Sequence, residues 1–78
     1  MDTRIAKLVS LTDKTLACRE ASARVRMAEA RYREGAAYTK RDPVFQAAWN
    51  QKYHAAKAEL ELIVAARRIK AWAAEGAR

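Results

Sequence analysis

The sequence predicts an all-α protein, an antiparallel two-helix hairpin that completes a four-helix bundle as a homodimer or with a partner. Its 78 residues include only two glycines and one proline, so few positions favour a turn. Alanine, leucine, glutamate, lysine and arginine, which are strong helix formers, make up much of the rest. The one strong break, Asp42-Pro43, divides the chain into two halves of similar length, and apolar residues recur at helical spacing in both.

Capping signals place the two helices along the chain. Asp42 is a good N-cap and Pro43 is favoured at the first helical position, so a helix is expected to begin there. Gly35 is the expected C-cap of the first helix, although an alternative continues that helix to Thr39 with Gly35 inside it. The expected organisation is one helical-hairpin domain, 1–78, with a first helix over about 3–34, a loop over about 35–42 and a second helix over about 43–75.

Two apolar strips on each helix carry the main inference. At about 100° per residue, one strip of each helix supplies the hairpin core, for which we expect Ile5, Val9, Leu16, Met27, Phe45, Trp49, Leu60 and Ile63. In a two-helix hairpin each helix has only one neighbour, so the second strip requires another partner. The residues expected to bind that partner are Val25, Tyr32, Leu62, Ile69 and Trp72.

Arginines recur every seven residues in the first helix and form two rows beside the apolar strips. The first row is Arg19, Arg26 and Arg33, and the second is Arg24 and Arg31. Such rows can contact nucleic-acid phosphates or an acidic protein. They can also be solvated flanks of a bundle, and the favourable spacing of Glu20 and Glu29, each four residues before an arginine, supports that interpretation.

The net charge of +7 does not choose among these partners, because a basic chain attracts nucleic acid and acidic proteins alike. Residues that support catalysis or metal binding are scarce. Cys18 and His54 are the only cysteine and histidine, too few for a structural zinc site. The carboxylates form no pair suited to acid–base work, and no glycine-rich phosphate loop is present. We expect no enzymatic activity, no cofactor, no metal and no small-molecule substrate.

We expect no targeting segment in this chain. Its first residues lack the basic and then apolar arrangement of a signal peptide. The longest strongly apolar run, 62–66, is far shorter than the roughly 20 residues that span a bilayer. We therefore expect no membrane insertion and a cytoplasmic location.

Two functional hypotheses follow from these patterns. The first is a non-enzymatic protein-binding module, such as a small inhibitor, co-chaperone or adaptor, that buries its second apolar face on a protein partner while arginines flank the contact. The alternative is a dimeric nucleic-acid-binding regulator that uses the arginine rows.

The chain resembles two protein families in its layout, one for each hypothesis. In its layout, without a shared motif, the chain is similar to the plasmid RNA-binding regulators whose two-helix chains dimerise into a four-helix bundle. In length and in the segment Asp42-Pro43-Val44-Phe45-Gln46, it resembles the helical-hairpin co-chaperones of type III secretion needle subunits. Those proteins are less basic. The second resemblance implies a hairpin that packs on another protein.

Overall fold

Three helices make up the fold. The computed structural model describes residues 3–76, in which α1 spans Thr3–Val9, α2 spans Asp13–Thr39 and α3 spans Pro43–Gly76. Helices α2 and α3 pack antiparallel as a hairpin, and α1 packs against α3. The molecule is elongated, with extents of 56 × 21 × 14 Å. The predicted all-α hairpin is therefore confirmed.

The prediction of one continuous first helix is wrong, because the chain turns at residues 10–12. The Ser10 hydroxyl donates to the Lys7 carbonyl at 2.6 Å at the end of α1. Thr12 has an extended backbone (φ −69°, ψ 156°), and its hydroxyl accepts from the Thr15 amide at 3.2 Å. Threonine at this position is an N-cap, and Asp13 in the first turn favours the same helix start through the helix dipole.

The predicted end of the first helix at 34 is also wrong, and the alternative end at Thr39 is the observed one. Arg41 takes up the left-handed conformation (φ 56°) beyond the helix. The Arg41 amide donates to the Tyr38 carbonyl at 3.0 Å, and the Asp42 amide donates to the Ala37 carbonyl at 2.9 Å. This pair of bonds is a Schellman motif, so the connection is only residues 40–42 and Gly35 lies inside α2.

The predicted start of the second helix is confirmed. The Asp42 carboxylate accepts from the Phe45 amide at 3.0 Å, and the Asp42 carbonyl accepts from the Gln46 amide at 3.0 Å. Pro43 occupies the first helical position, where its missing N–H leaves no bond unmade. The tight turn and this cap together direct α3 back along α2.

A seam of small residues joins α2 to α3. On α2, one buried residue recurs at every seventh position and is at most 3% exposed: Leu16, Ala23, Ala30 and Ala37. The facing residues Ala56 and Ile63 on α3 are also seven apart and buried. A seven-residue repeat is the pattern of a coiled coil, and alanine permits the two backbones to approach closely.

The predicted core is partly confirmed. Leu16 and Ile63 are fully buried, as expected. Five other members are half-buried: Ile5, Val9, Met27, Trp49 and Leu60. Phe45 is 50% exposed, so its assignment to the core is wrong. It lies in the first turn of α3, beside the connection, and it stacks edge-on against Trp49 of the same helix at 6.1 Å between centroids.

Polar side chains along the seam fix how the helices are aligned. Glu20 on α2 accepts from Arg67 on α3, and Glu34 accepts from Asn50 at 3.2 Å. Both glutamates are mostly covered, with side-chain exposures of 19% and 16%. Because a slip of one helix along the other would break these bonds between helices at partly desolvated carboxylates, the pairs favour a single register.

Helix α1 gives α3 a second neighbour. Leu8 and Leu11 pack against the cluster centred on Leu16, Ala23 and Ile63. Lys70 on α3 donates to the Leu11 carbonyl and pairs with Asp13 at 3.0 Å, which holds the turn between α1 and α2 against α3. The turn at residues 10–12 therefore lets the chain cover part of its own apolar surface.

Candidate protein-binding face

The side of α2 that points away from α3 carries a second apolar row. Its members recur at alternating spacings of three and four residues and are all exposed: Cys18, Ala21, Val25, Ala28, Tyr32, Gly35 and Thr39. We call this row the outer face of α2. Val25 and Tyr32 are 65% and 78% exposed. Both are two positions, or about 200°, from residues of the buried seam, so the hairpin itself cannot cover them.

A groove crosses the outer face at Gly35. It is lined by Tyr32, Ala36 and Thr39, and Arg31 and Lys40 stand beside them. A Cβ atom added at Gly35 would meet nothing within 4 Å, so the lack of a side chain at this position serves no contact within residues 3–76. The outer face thus combines two large apolar side chains, small residues that alternate with them and cations at its edges.

The other residues predicted to bind a partner do not lie on the outer face of α2. Leu62 and Ile69 are half-buried on α3. Leu62 lines a groove together with Leu8 and Leu11, on the side of α3 against which α1 packs. Trp72 is 69% exposed near the end of α3. The five predicted residues therefore divide between two helices, and only Val25 and Tyr32 share one continuous apolar row.

The two arginine rows flank the seam between α2 and α3. Arg26 pairs with Glu59 across the seam at 2.9 Å. Arg31 lies 3.8 Å from the centre of the Tyr53 ring and 3.3 Å from Glu34.

The remaining three arginines of the rows pair with carboxylates of α2 or lie beside other helices. Arg33 pairs with Glu29 at 3.2 Å and stands 5.2 Å from the centre of the Trp49 ring. Arg24 lies 3.6 Å from Glu20, and Arg19 lines the groove beside α1. The flanking role of arginine rows in a bundle thus has direct structural support.

These arginine contacts are open to water. Side-chain exposures of Arg24, Arg26, Arg31 and Arg33 range from 51% to 63%. Exposed ion pairs of this kind contribute about 0–1 kcal/mol each. Each guanidinium therefore retains donors that an external carboxylate or phosphate can reach, and the first row faces a different edge of α2 from the second.

Exposed apolar residues at the hairpin tip form a surface beyond the five residues expected to bind a partner. Tyr38 is 70% exposed and Val44 is 80% exposed. Phe45 shares a groove with Tyr32 and Lys40, so the tip continues the apolar surface of the outer face. This surface depends on the Schellman ending at residues 40–42, because that ending brings the start of α3 beside the end of α2.

Within residues 3–76, no group of three or more histidine, cysteine, aspartate or glutamate side chains lies close enough to hold a metal ion. None of the helices in that range is both long and apolar enough to cross a membrane. Comparisons of the chain with protein-family models, with curated proteins and with solved structures found no match.

Proposed function

We propose that this chain is a non-enzymatic protein-binding module, in the class of small inhibitors, co-chaperones and adaptors. The observation that carries the proposal is the exposure of Val25 and Tyr32 in one apolar row along α2. Contiguous exposed apolar surface of this kind is typical of interaction sites. The partner helix, or a second copy of the hairpin, would complete a four-helix arrangement by covering the row.

Helix-against-helix packing is the mechanism that suits this surface. The outer face runs over 18–39, which is about 32 Å of helix at 1.5 Å per residue. Its alternating spacing of three and four residues suits a helical partner with the same period. Full burial of an apolar side chain contributes about 1.5–3 kcal/mol, so Val25 and Tyr32 can act as the two anchors, with the small residues setting how closely the partner approaches.

The alternative function is a nucleic-acid-binding regulator, and one observation supports it. Residues 1–41 carry ten of the sixteen lysines and arginines. Against it, four of the five arginines in the rows have carboxylate partners, which reduces the positive charge that the rows present. We therefore favour the protein-binding function, and Trp72 remains a predicted second anchor on the opposite helix.

A site-specific cross-linking experiment tests the proposal. A photoreactive phenylalanine analogue replaces Tyr32 in one variant and His54, an exposed residue of α3, in the matched control. Irradiation in the cells from which the chain derives is expected to give a discrete protein adduct at position 32 and none at 54. Adding Val25→Asp to the position-32 variant is expected to remove the adduct while the helical circular dichroism stays unchanged, because Val25 supports no internal packing.

Three results would contradict the proposal. A position-32 variant that forms no adduct would show that the outer face is not a binding face. Equal adducts at 32 and 54 would show contact without a site. Adducts with nucleic acid that disappear as the salt concentration rises would make the alternative the better function, since phosphate contacts weaken steeply with salt.

A further inference from the structure

We infer that the occupant of the outer face of α2 is an acidic amphipathic helix, with large apolar side chains at alternating three- and four-residue spacing and carboxylates beside them. This inference rests on the proposed function and adds the chemistry of the partner. It follows from two properties of the outer face taken together, namely the sizes of its side chains and the sign of its edge charges.

Side-chain sizes call for a partner with large residues. Along the row, the small residues Ala21, Ala28 and Gly35 alternate with larger residues, of which Val25 and Tyr32 are the two largest. A helix that packs here must fill the space above those small residues, because unfilled space between packed helices costs contact energy. Leucine-sized side chains at the facing positions meet this requirement.

Charges along the edge of the outer face call for carboxylates. On one edge, Arg24 and Arg31 stand at the positions that flank the row, and Lys40 lies on the opposite edge, where it lines a groove with Tyr32 and Arg33. On the other edge, the charge of Glu29 is offset by Arg33 at 3.2 Å. Glu20 and Glu34 lie near Arg24 and Arg31, but Glu20 also pairs with Arg67, and both carboxylates are mostly covered whereas the two arginines are 63% and 57% exposed. The exposed charge beside the row is therefore net positive, and flanking charges of opposite sign set partner choice in helical pairs.

An antiparallel second copy fits the sizes but not the charges. In that arrangement, Tyr32 can face Ala21 and Val25 can face Ala28, which matches large residues with small ones. However, when two helices run antiparallel, the same edge of each helix faces the other helix. The contact between Arg26 on α2 and Glu59 on α3 is an example within the hairpin. Arg24 would then face Arg31 of the other copy, and like charges at such positions are destabilising.

A parallel second copy has the opposite defect. It places Arg24 of one copy near Glu29 of the other, which is favourable. Yet it also sets every residue of the row against itself, so that alanine faces alanine, glycine faces glycine and Tyr32 faces Tyr32. The layers would alternate between voids and crowding, and both are costly in packed helices. A helix with leucines and glutamates satisfies both requirements at once.

Two synthetic helical peptides of about three heptads test the inference. Both carry leucine at the apolar positions, and one carries glutamate while the other carries lysine at all flanking positions, so that neither pairs readily with itself. Binding of each labelled peptide to the full chain is followed by fluorescence anisotropy at moderate salt. A glutamate peptide of the same composition with its leucines scrambled controls for attraction by net charge alone. The glutamate peptide is expected to bind and the other two are not.

Matched variants of the full chain locate the binding. Replacing Arg24 and Arg31 by glutamine should weaken the affinity for the glutamate peptide about fivefold or more. Glutamines at the exposed Lys57 and Arg68 should change that affinity less than about twofold. Gly35→Leu should also weaken binding, because the leucine side chain would occupy the groove from a position where an added Cβ atom meets nothing within 4 Å. Unfolding midpoints of all variants show whether the hairpin is intact.

The possible failures are distinct. The acidic-helix inference would be overturned if the lysine peptide or the scrambled peptide bound as tightly as the glutamate peptide. It would also be overturned if the two pairs of glutamine substitutions weakened binding equally. A chain that binds no peptide, or a dimer in sedimentation that Gly35→Leu dissociates, would overturn it too. If position 32 still cross-links to a protein in cells, the protein-binding function survives that failure. If position 32 gives no adduct, the function itself falls.

Discussion

Ala30→Leu and Ala28→Leu make the same chemical change at two positions of α2 that face opposite directions. Ala30 is 1% exposed in the seam against α3, whereas Ala28 is exposed on the outer face. We expect the change at 30 to destabilise the hairpin and the change at 28 to leave its free energy of unfolding nearly unaltered. The pair therefore tests which side of α2 is packed, independently of any partner.

The magnitude follows from the burial of each site. Leucine adds three carbon atoms at a position without room, and overpacking of this kind costs about 1–3 kcal/mol. A chain of 78 residues is expected to be stable by about 4–12 kcal/mol, so the loss is a measurable part of the total. At the exposed position 28, the same change is expected to stay within about 0.5 kcal/mol.

Urea unfolding followed by circular dichroism measures both variants against the unaltered chain. Thermal melts should show a fall of roughly 4–8 °C for each kcal/mol lost at position 30. Measurements at two protein concentrations, about tenfold apart, separate folding from self-association, which would make the midpoint depend on concentration. A variant at 30 as stable as the unaltered chain, or a loss at 28 equal to that at 30, would refute the assignment of the seam.

Other substitutions give independent checks by the same unfolding measurements. Ile63→Ala removes a fully buried side chain and should cost about 2–5 kcal/mol in urea unfolding, with an unchanged denaturant slope. Arg41→Gly should raise the free energy of unfolding by about 0.5–1 kcal/mol, and with it the thermal midpoint, because φ is 56° at this position. A lower midpoint would contradict the Schellman ending. Gly35→Ala should stabilise α2 by about 1 kcal/mol, and a loss would mean that Gly35 is not inside a helix. Thr12→Ala should cost about 0.5–2 kcal/mol and speed amide hydrogen exchange in the first turn of α2; unchanged exchange would mean that Thr12 is not its cap.

Helix endings were the least predictable part of the fold, and the expected C-cap at Gly35 shows why. Gly35 was expected to end the first helix because glycine is favoured in the left-handed position beyond a helix. The chain instead places Arg41 there, at a conformational cost that glycine would avoid, and keeps Gly35 helical. The better ending is the one that lets the Asp42 amide bond to α2 while its carboxylate caps α3.

The break between α1 and α2 was visible in the sequence but was outweighed by periodicity. Thr12-Asp13 is a helix-start signal of the same kind as Asp42-Pro43. Thr12 also falls on the apolar strip of a continuous helix, so the spacing favoured no break. Tertiary contact decides the matter, because the turn allows Leu8 and Leu11 to pack against the core and Lys70 to bond to the Leu11 carbonyl.

The sequence by itself determined the helical class, the position of the hairpin turn and the existence of more apolar surface than two helices can share. These follow from local propensity, from Asp42-Pro43 and from apolar periodicity. The tertiary structure confirmed that the row of α2 through Leu16 is the buried one, and only the tertiary structure decided that α1 covers part of α3. Both rows of α2 have a seven-residue repeat and many alanines, so local preferences are nearly equal. Packing against α3, aided by the paired Glu20 and Glu34, selects the row through Ala23 and Ala30 and leaves Val25 and Tyr32 in water.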